Sequence, residues 1–190
     1  MWYNLWHTTL GSVLFVSEQE LRKHRCCFTG HRPEKISIPE KRLAELLETE
    51  IKRAIDRGHT TFITGMAKGV DIVAAEIVLR LRERGLRLKL ICALPYPDFG
   101  QHWGSGWTER FRQVLAQADL ERTICPSFSY GAYQARNEWM VRHSALVIAV
   151  YNGESGGTKN TLDFAKRNGV PFKHKKCRIV LFTNYLQLFV

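Results

Sequence analysis

Phe62-Ile63-Thr64-Gly65-Met66-Ala67-Lys68-Gly69-Val70-Asp71-Ile72-Val73-Ala74-Ala75-Glu76 runs from a short β-branched segment, through two glycines that bracket a basic residue, into a helical pattern whose first turn carries an acid. A strand that passes into a helix through so short a turn leaves backbone N–H groups unpaired. It also aims the positive end of the helix dipole at one place, which suits a phosphate or a carboxylate. Gly65 and Gly69 let the backbone turn tightly and approach a ligand closely. The spacing is neither that of the P-loop nor that of the dinucleotide fingerprint.

Outward from this stretch the chain alternates strand-like and helix-like segments. Residues 25–33 read as a core strand ending at a glycine turn, which places Thr29, Gly30, His31 and Arg32 at the carboxyl edge of a sheet. Leu43, Leu46, Leu47, Ile51, Ala54 and Ile55 fall on one face of a helix that begins near Pro39 and ends before Gly58. Residues 87–94 and 122–125 read as further strands, and residues 130–143 as a helix. The near-continuous apolar run 145–151 reads as a central strand buried on both faces. After it, Gly156, Gly157 and Thr158 form a second glycine turn into a helix. The alternation predicts an α/β fold, a Rossmann-like three-layer domain with a mainly parallel central sheet and helices on both faces. If the strands before the two glycine turns are neighbours where the winding reverses, both helix starts flank one crevice.

At 190 residues, with 45% apolar and 24% charged side chains, the chain fits one ordinary soluble domain. A net charge of +10 raises nucleic acid as a partner. After Asp163, however, there is no acid, and six of the positive charges lie among residues 166–178, leaving +4 for residues 1–163. The excess therefore reads as a solvated basic tail, and nucleic acid ranks below a small ligand. Five cysteines, Cys26, Cys27, Cys92, Cys125 and Cys177, lack the paired spacing of a zinc site, so no metal is expected. Cysteines in apolar runs fit a reducing cytoplasm, with Cys26 and Cys27 read as core.

The first seventeen residues carry no Lys, Arg, Asp or Glu and no basic leader, and read as an extension packed on the domain or buried in a homodimer contact. The organisation expected is an N-terminal extension over residues 1–22, a nucleotide-binding domain over residues 23–172, and a basic then apolar tail over residues 173–190. No segment reads as a membrane span. Between residues 98 and 107, Phe99, His102, Trp103 and Trp107 lie among glycines. That loop reads equally as a lid or base-stacking element and as a seal over the core.

Thr29-Gly30-His31-Arg32-Pro33, the opening stretch, Tyr133-Gln134-Ala135-Arg136-Asn137 and Ile148 to Gly153 leading to Gly156-Gly157-Thr158 together resemble the SLOG superfamily, which includes the SMF/DprA and LOG groups. The resemblance covers about residues 25–172 and is closest to the YpsA-like branch, some of whose members are linked to cell division in Gram-positive bacteria. It implies a Rossmann-like fold that holds a nucleotide or nucleotide-derived ligand at the carboxyl edge of the sheet. LOG relatives hydrolyse the N-glycosidic bond of nucleoside monophosphates with an arginine, which Arg136 matches, and a glutamate, where this chain has Thr161.

Three readings follow. In the first, Gly65, Met66, Ala67, Lys68, Gly69, Gly156, Gly157 and Thr158 hold the phosphate of a nucleotide or an ADP-ribose-like compound. Asp71 caps the helix or accepts a ribose hydroxyl, Arg136 and Arg32 add charge-assisted bonds, and Thr29, Gly30, His31 and Asn137 complete a non-catalytic sensor site. The second is a nucleotide-processing hydrolase acting on a glycosidic or phosphoester bond, with Asp71, Glu76 and Glu138 as candidate acids and His31 as a possible proton donor. The third is single-stranded DNA binding of the DprA kind, with Trp103 or Trp107 stacking on bases.

Overall fold

The structure, a computed structural model, describes residues 17–176 apart from residue 105. The readings of residues 1–16, of Cys177 and of the apolar end of the tail lie outside the described residues. The elements are α1 (Glu18–Lys23), β1 (Arg25–Gly30), α2 (Glu40–Asp56), β2 (Thr61–Thr64), α3 (Val70–Glu83), β3 (Lys89–Leu94), α4 (Trp107–Ala116), β4 (Leu120–Thr123), α5 (Ala132–Arg142), β5 (Leu146–Tyr151), α6 (Gly157–Arg167) and β6 (Phe172–Lys176). A short 3-10 turn, Pro33–Lys35, follows β1. One sheet holds all six strands in the order β4-β3-β2-β1-β5-β6, with every neighbouring pair parallel.

Strand alternation sends successive side chains to opposite faces. Cys26, Phe28, Phe62, Leu90, Cys92, Ile148 and Val150 pack with Leu43, Leu47 and Ile51 of α2, the apolar face of α3, and Phe111 and Val114 of α4. Cys27, Ile63, Ile91, Ala93 and Val147 pack instead with Met140 and Val141 of α5 and Phe164 and Ala165 of α6. The result is the expected three-layer α/β arrangement. Cys26 and Cys27 thus enter separate cores. Burial pushes the Cys27 thiol up to about 12 and the Cys26 thiol also well above its usual value, so both act as small apolar side chains.

From β1 the chain winds outward through β2 and β3 to β4, and α5 then carries it back to β5 on the other side of β1. The carboxyl ends of β1 and β5 therefore diverge at a switch in winding direction, where open α/β sheets form a crevice. The 172/173 boundary drawn from sequence falls inside β6, since Lys173, His174 and Lys175 pair with Ile148, Ala149 and Val150. The beginning of the basic tail is an edge strand, and charges there discourage pairing with another sheet. Among the described residues no helix is long and apolar enough to cross a membrane.

Candidate functional site

A cavity of about 330 Å³ opens in that crevice. Thr29, Gly30, His31 and Arg32 line it from the end of β1, and Glu34 and Lys35 from the turn that follows. Ala67 and Asp71 come from the β2–α3 junction, Tyr133, Arg136 and Asn137 from α5, and Ser155, Gly156, Gly157 and Thr158 from the start of α6. The two glycine turns and the arginine helix, far apart in sequence, meet here because β1 sits between β2 and β5.

Asp71 and Arg136 are buried, at 6% and 4% exposed, with Arg136 Nη1 3.8 Å from Asp71 Oδ2. Asp71 Oδ2 also accepts the Ala67 N–H at 3.3 Å, and an Arg136 Nη1 N–H donates to the Gly65 carbonyl. Burial raises the Asp71 carboxyl to about 6, against the pull of Arg136 and the Ala67 N–H. Burial also lowers the Arg136 guanidinium, and Asp71 opposes that shift. Arg136 Nε has no hydrogen-bond partner among the described residues. A buried donor without a partner is unusual, and here it belongs to a residue of the cavity wall.

At the opposite wall, the first N–H groups of α6 have no acceptor within the helix, and no side chain caps them. Gly156 is the residue before the first turn, and Thr158 is buried within that turn. His31 lies near the same loop. Its Nε2 accepts the Asn152 N–H at 3.2 Å, and its ring stacks on Tyr151 at 5.7 Å. Burial, helped by Lys35, holds the imidazole below its usual value. With Nε2 accepting the Asn152 N–H, the neutral imidazole carries its proton on Nδ1 and can donate from there.

The opening stretch contributes less directly than its glycines imply. Gly65, Met66, Lys68 and Gly69 do not line the cavity. Close approach at Gly65 is to Arg136 and Asp71, and at Gly69, whose φ is 92°, an added Cβ would lie 2.8 Å from the His31 carbonyl oxygen. Met66 turns into the core, and its N–H donates to Thr64 Oγ1 at 3.1 Å. Lys68 Nζ sits 5.8 Å from the centre of the Trp103 ring.

Of the proposed acids and proton donors, Asp71 and His31 line the cavity, whereas Glu76 and Glu138 lie elsewhere. Glu76 accepts two bonds from Arg110, at 2.7 and 2.6 Å, and Glu138 accepts from Gln134 and Arg142, each at 3.0 Å. Neither lines the cavity, whose carboxyls are Asp71 and Glu34. Thr161 donates to the Gly157 carbonyl at 2.8 Å, an ordinary bond within a helix. Among the described residues no group of three or more His, Cys, Asp or Glu side chains could hold a metal ion.

Sequence reasoning missed Tyr133, Glu34, Lys35 and Ser155 as wall residues. Three of them follow the strand ends β1 and β5 within a few residues, the position that marks a ligand edge in this kind of sheet. Tyr133 is the first cavity residue of α5, and its hydroxyl lies 3.0 Å from that of Tyr96. Burial and this contact push the Tyr96 phenol up to about 12.

The YpsA family model, described as the YspA SLOG family, matches residues 26–183. The uncharacterized SPbeta prophage-derived protein YoqJ of Bacillus subtilis (strain 168) is 31% identical over 147 residues, covering 71% of this chain and 84% of the relative. A UPF0398 protein of Lactiplantibacillus plantarum is 28% identical over 137 residues, covering 71% of this chain and 70% of its own. Among solved structures, DNA processing protein A from Helicobacter pylori, described for its single-stranded DNA binding mode, superimposes with a TM-score of 0.57 at 20% identity. The match covers 83% of this chain and 66% of that one. DNA processing protein A from Streptococcus pneumoniae gives 0.58 at 16% identity, covering 81% and 50%. The chain thus spans half to about two thirds of those solved chains, and likeness at such identities is one of fold. With a family model matched over residues 26–183 and the glycine turns of β2 and β5 standing beside β1, the chain belongs to the YpsA-like branch of the SLOG superfamily.

Proposed function

We propose that the cavity binds a small phosphorylated ligand of the nucleotide type and that the protein acts as a sensor of it. The observation that carries this reading is Arg136, a buried cation in the cavity wall whose Nε has no partner among the described residues. Opposite it, the uncapped start of α6 offers backbone N–H groups and a positive dipole end to the same space. An anion between them answers both demands, and Arg32 and Lys35 add positive charge at the wall. Asn137 and Asp71 also line the cavity, and in this reading they take the hydroxyls of a ribose. A volume near 330 Å³ lies at the small end of the range for ligand pockets, which fits a mononucleotide portion.

This reading assigns binding and no bond to be broken. Glycosidic hydrolysis of the LOG kind lacks support, because position 161 is a threonine turned into its own helix and Glu76 and Glu138 are engaged away from the cavity. Thermal unfolding in the presence of nucleoside monophosphates and ADP-ribose is the direct test. A midpoint that rises with ligand concentration is expected. Asn137→Glu, which puts a negative charge at a half-buried wall position and so repels an anion, should remove the rise while leaving the ligand-free midpoint within a few degrees. No rise with any phosphorylated compound at millimolar concentration would refute the reading.

A further inference from the structure

We propose that Phe128 and Tyr130 form a platform on which the planar base of the ligand stacks, so that the site selects nucleoside phosphates over sugar phosphates. The inference rests on the phosphate reading of the cavity and extends it to a surface outside the cavity lining.

Among the described residues, five large apolar side chains stand out as exposed: Leu21, Leu86, Leu120, Phe128 and Tyr130. Leu21 precedes β1, Leu86 precedes β3 and Leu120 begins β4, which puts all three toward the amino edge of the parallel sheet. Phe128 and Tyr130 lie instead on the connection from β4 to α5, at the carboxyl edge where the cavity opens. Phe128 is 55% exposed and Tyr130 is 92% exposed, and their ring centres are 5.7 Å apart.

The pair is joined to the cavity by rings. Phe128 packs edge-on against Tyr96 at 5.2 Å and lies 6.5 Å from Tyr133, which is itself a wall residue. Phe128 is thereby held in place, and Tyr130 extends the row into solvent. Trp103 and Trp107, the aromatics assigned to stacking from sequence, are spent differently. Trp103 packs edge-on with Phe99 and Phe111, and Trp107 lies 4.3 Å beneath the Arg110 guanidinium.

A ligand that fills an anion site and also covers an adjoining aromatic row must carry negative charge at one end and a flat ring at the other. A nucleoside phosphate has that form, whereas inorganic phosphate and ribose phosphates have only the first part. Stacking of a base on an aromatic side chain is worth about 1–3 kcal/mol by alanine substitution, or roughly 5- to 150-fold in affinity.

Calorimetric titration of the full chain with AMP, GMP, CMP and UMP, each against ribose 5-phosphate, tests the platform. At least one nucleotide should bind about tenfold or more tightly than ribose 5-phosphate. Tyr130→Ala, at a side chain too exposed to support the fold, should remove most of that advantage and leave ribose 5-phosphate affinity unchanged. Tyr130→Phe should stay within about twofold of the parent. Equal binding of nucleotides and ribose 5-phosphate would overturn the platform while sparing the phosphate site, as would a Tyr130→Ala loss shared equally by both. Failure of every phosphate compound to bind would overturn the platform together with the reading beneath it.

Discussion

At Gly65 a Cβ would fall on the Arg136 guanidinium and lie 2.8 Å from Asp71 Oδ2. Gly65→Ala therefore has to displace a buried cation from its carbonyl acceptor and its counter-ion. Breaking a buried pair in this way costs about 3–5 kcal/mol, and a fall of that size in unfolding free energy, measured in urea, is expected. A loss below about 1 kcal/mol would mean that Arg136 has another place to go. Asp71 sets a second expectation. Its folded-state carboxyl is raised to about 6 from an ordinary 3.8, with burial as the main cause, so the folded protein holds the proton more tightly than the unfolded chain does. Its favourable contribution is then complete below about pH 4 and is lost as the pH rises through about 6. Across that window the parent should lose stability relative to Asp71→Asn, by no more than about 1.4 kcal/mol per pH unit for one group. Parallel curves for the two proteins would show that Arg136 cancels the burial of Asp71.

Among the elements, β6 has the most to say about charge. Burial raises the Glu50 carboxyl, but Lys175 from β6 at 3.0 Å and Arg53 at 2.5 Å overcome it and hold the group below its usual range. Glu50 is only 5% exposed, so removing it withdraws the anchor that ties the edge strand to α2. Glu50→Ala should speed amide exchange across residues 172–176 by about tenfold, a local loss near 1.4 kcal/mol, with little change in β1. Equal acceleration in both strands would point to global weakening instead. The same strand shows where sequence stops being legible. β1, β2, β3 and β5 announce themselves because their side chains are buried on both faces, so the apolar run itself is the signal. β4 and β6 are the edges. β4 is largely exposed and begins at Leu120, two residues before the run at 122 that reads as a strand, while β6 alternates Phe172 toward the α6 core with lysines on the other side. The cavity was legible at Thr29 to Arg32, Arg136 and Gly156 to Thr158, whose positions follow from strand ends and helix starts. The inward duties of Gly65, Met66 and Gly69 were not, because a glycine between strand and helix looks the same whether it faces a ligand or the protein's own side chains.

On the scale of the whole molecule, the net charge of +10 raises binding to nucleic acid through phosphate contacts. Placement of the charge argues that such binding is diffuse. Of the six positive charges after Asp163, Lys166 and Arg167 end α6, and Lys173, Lys175 and Lys176 belong to β6. Lys175 is already paired with Glu50. A surface of this kind attracts phosphate through counter-ion release and reads no bases, so affinity should fall steeply with salt. Association with an oligothymidylate is expected to weaken by at least tenfold between 50 and 200 mM salt. Substituting Lys166, Arg167 and Lys173 with glutamine should weaken it further, and Asn137→Glu in the cavity should change it little. The nucleotide-induced rise in melting temperature should show the reverse pattern, lost with Asn137→Glu and retained when the three cations are neutralised. Two activities that separate in this way belong to two surfaces. Oligonucleotide binding that resists salt and disappears with Asn137→Glu would instead make the cavity the place where a strand of DNA is held, and the mononucleotide a fragment of the true ligand.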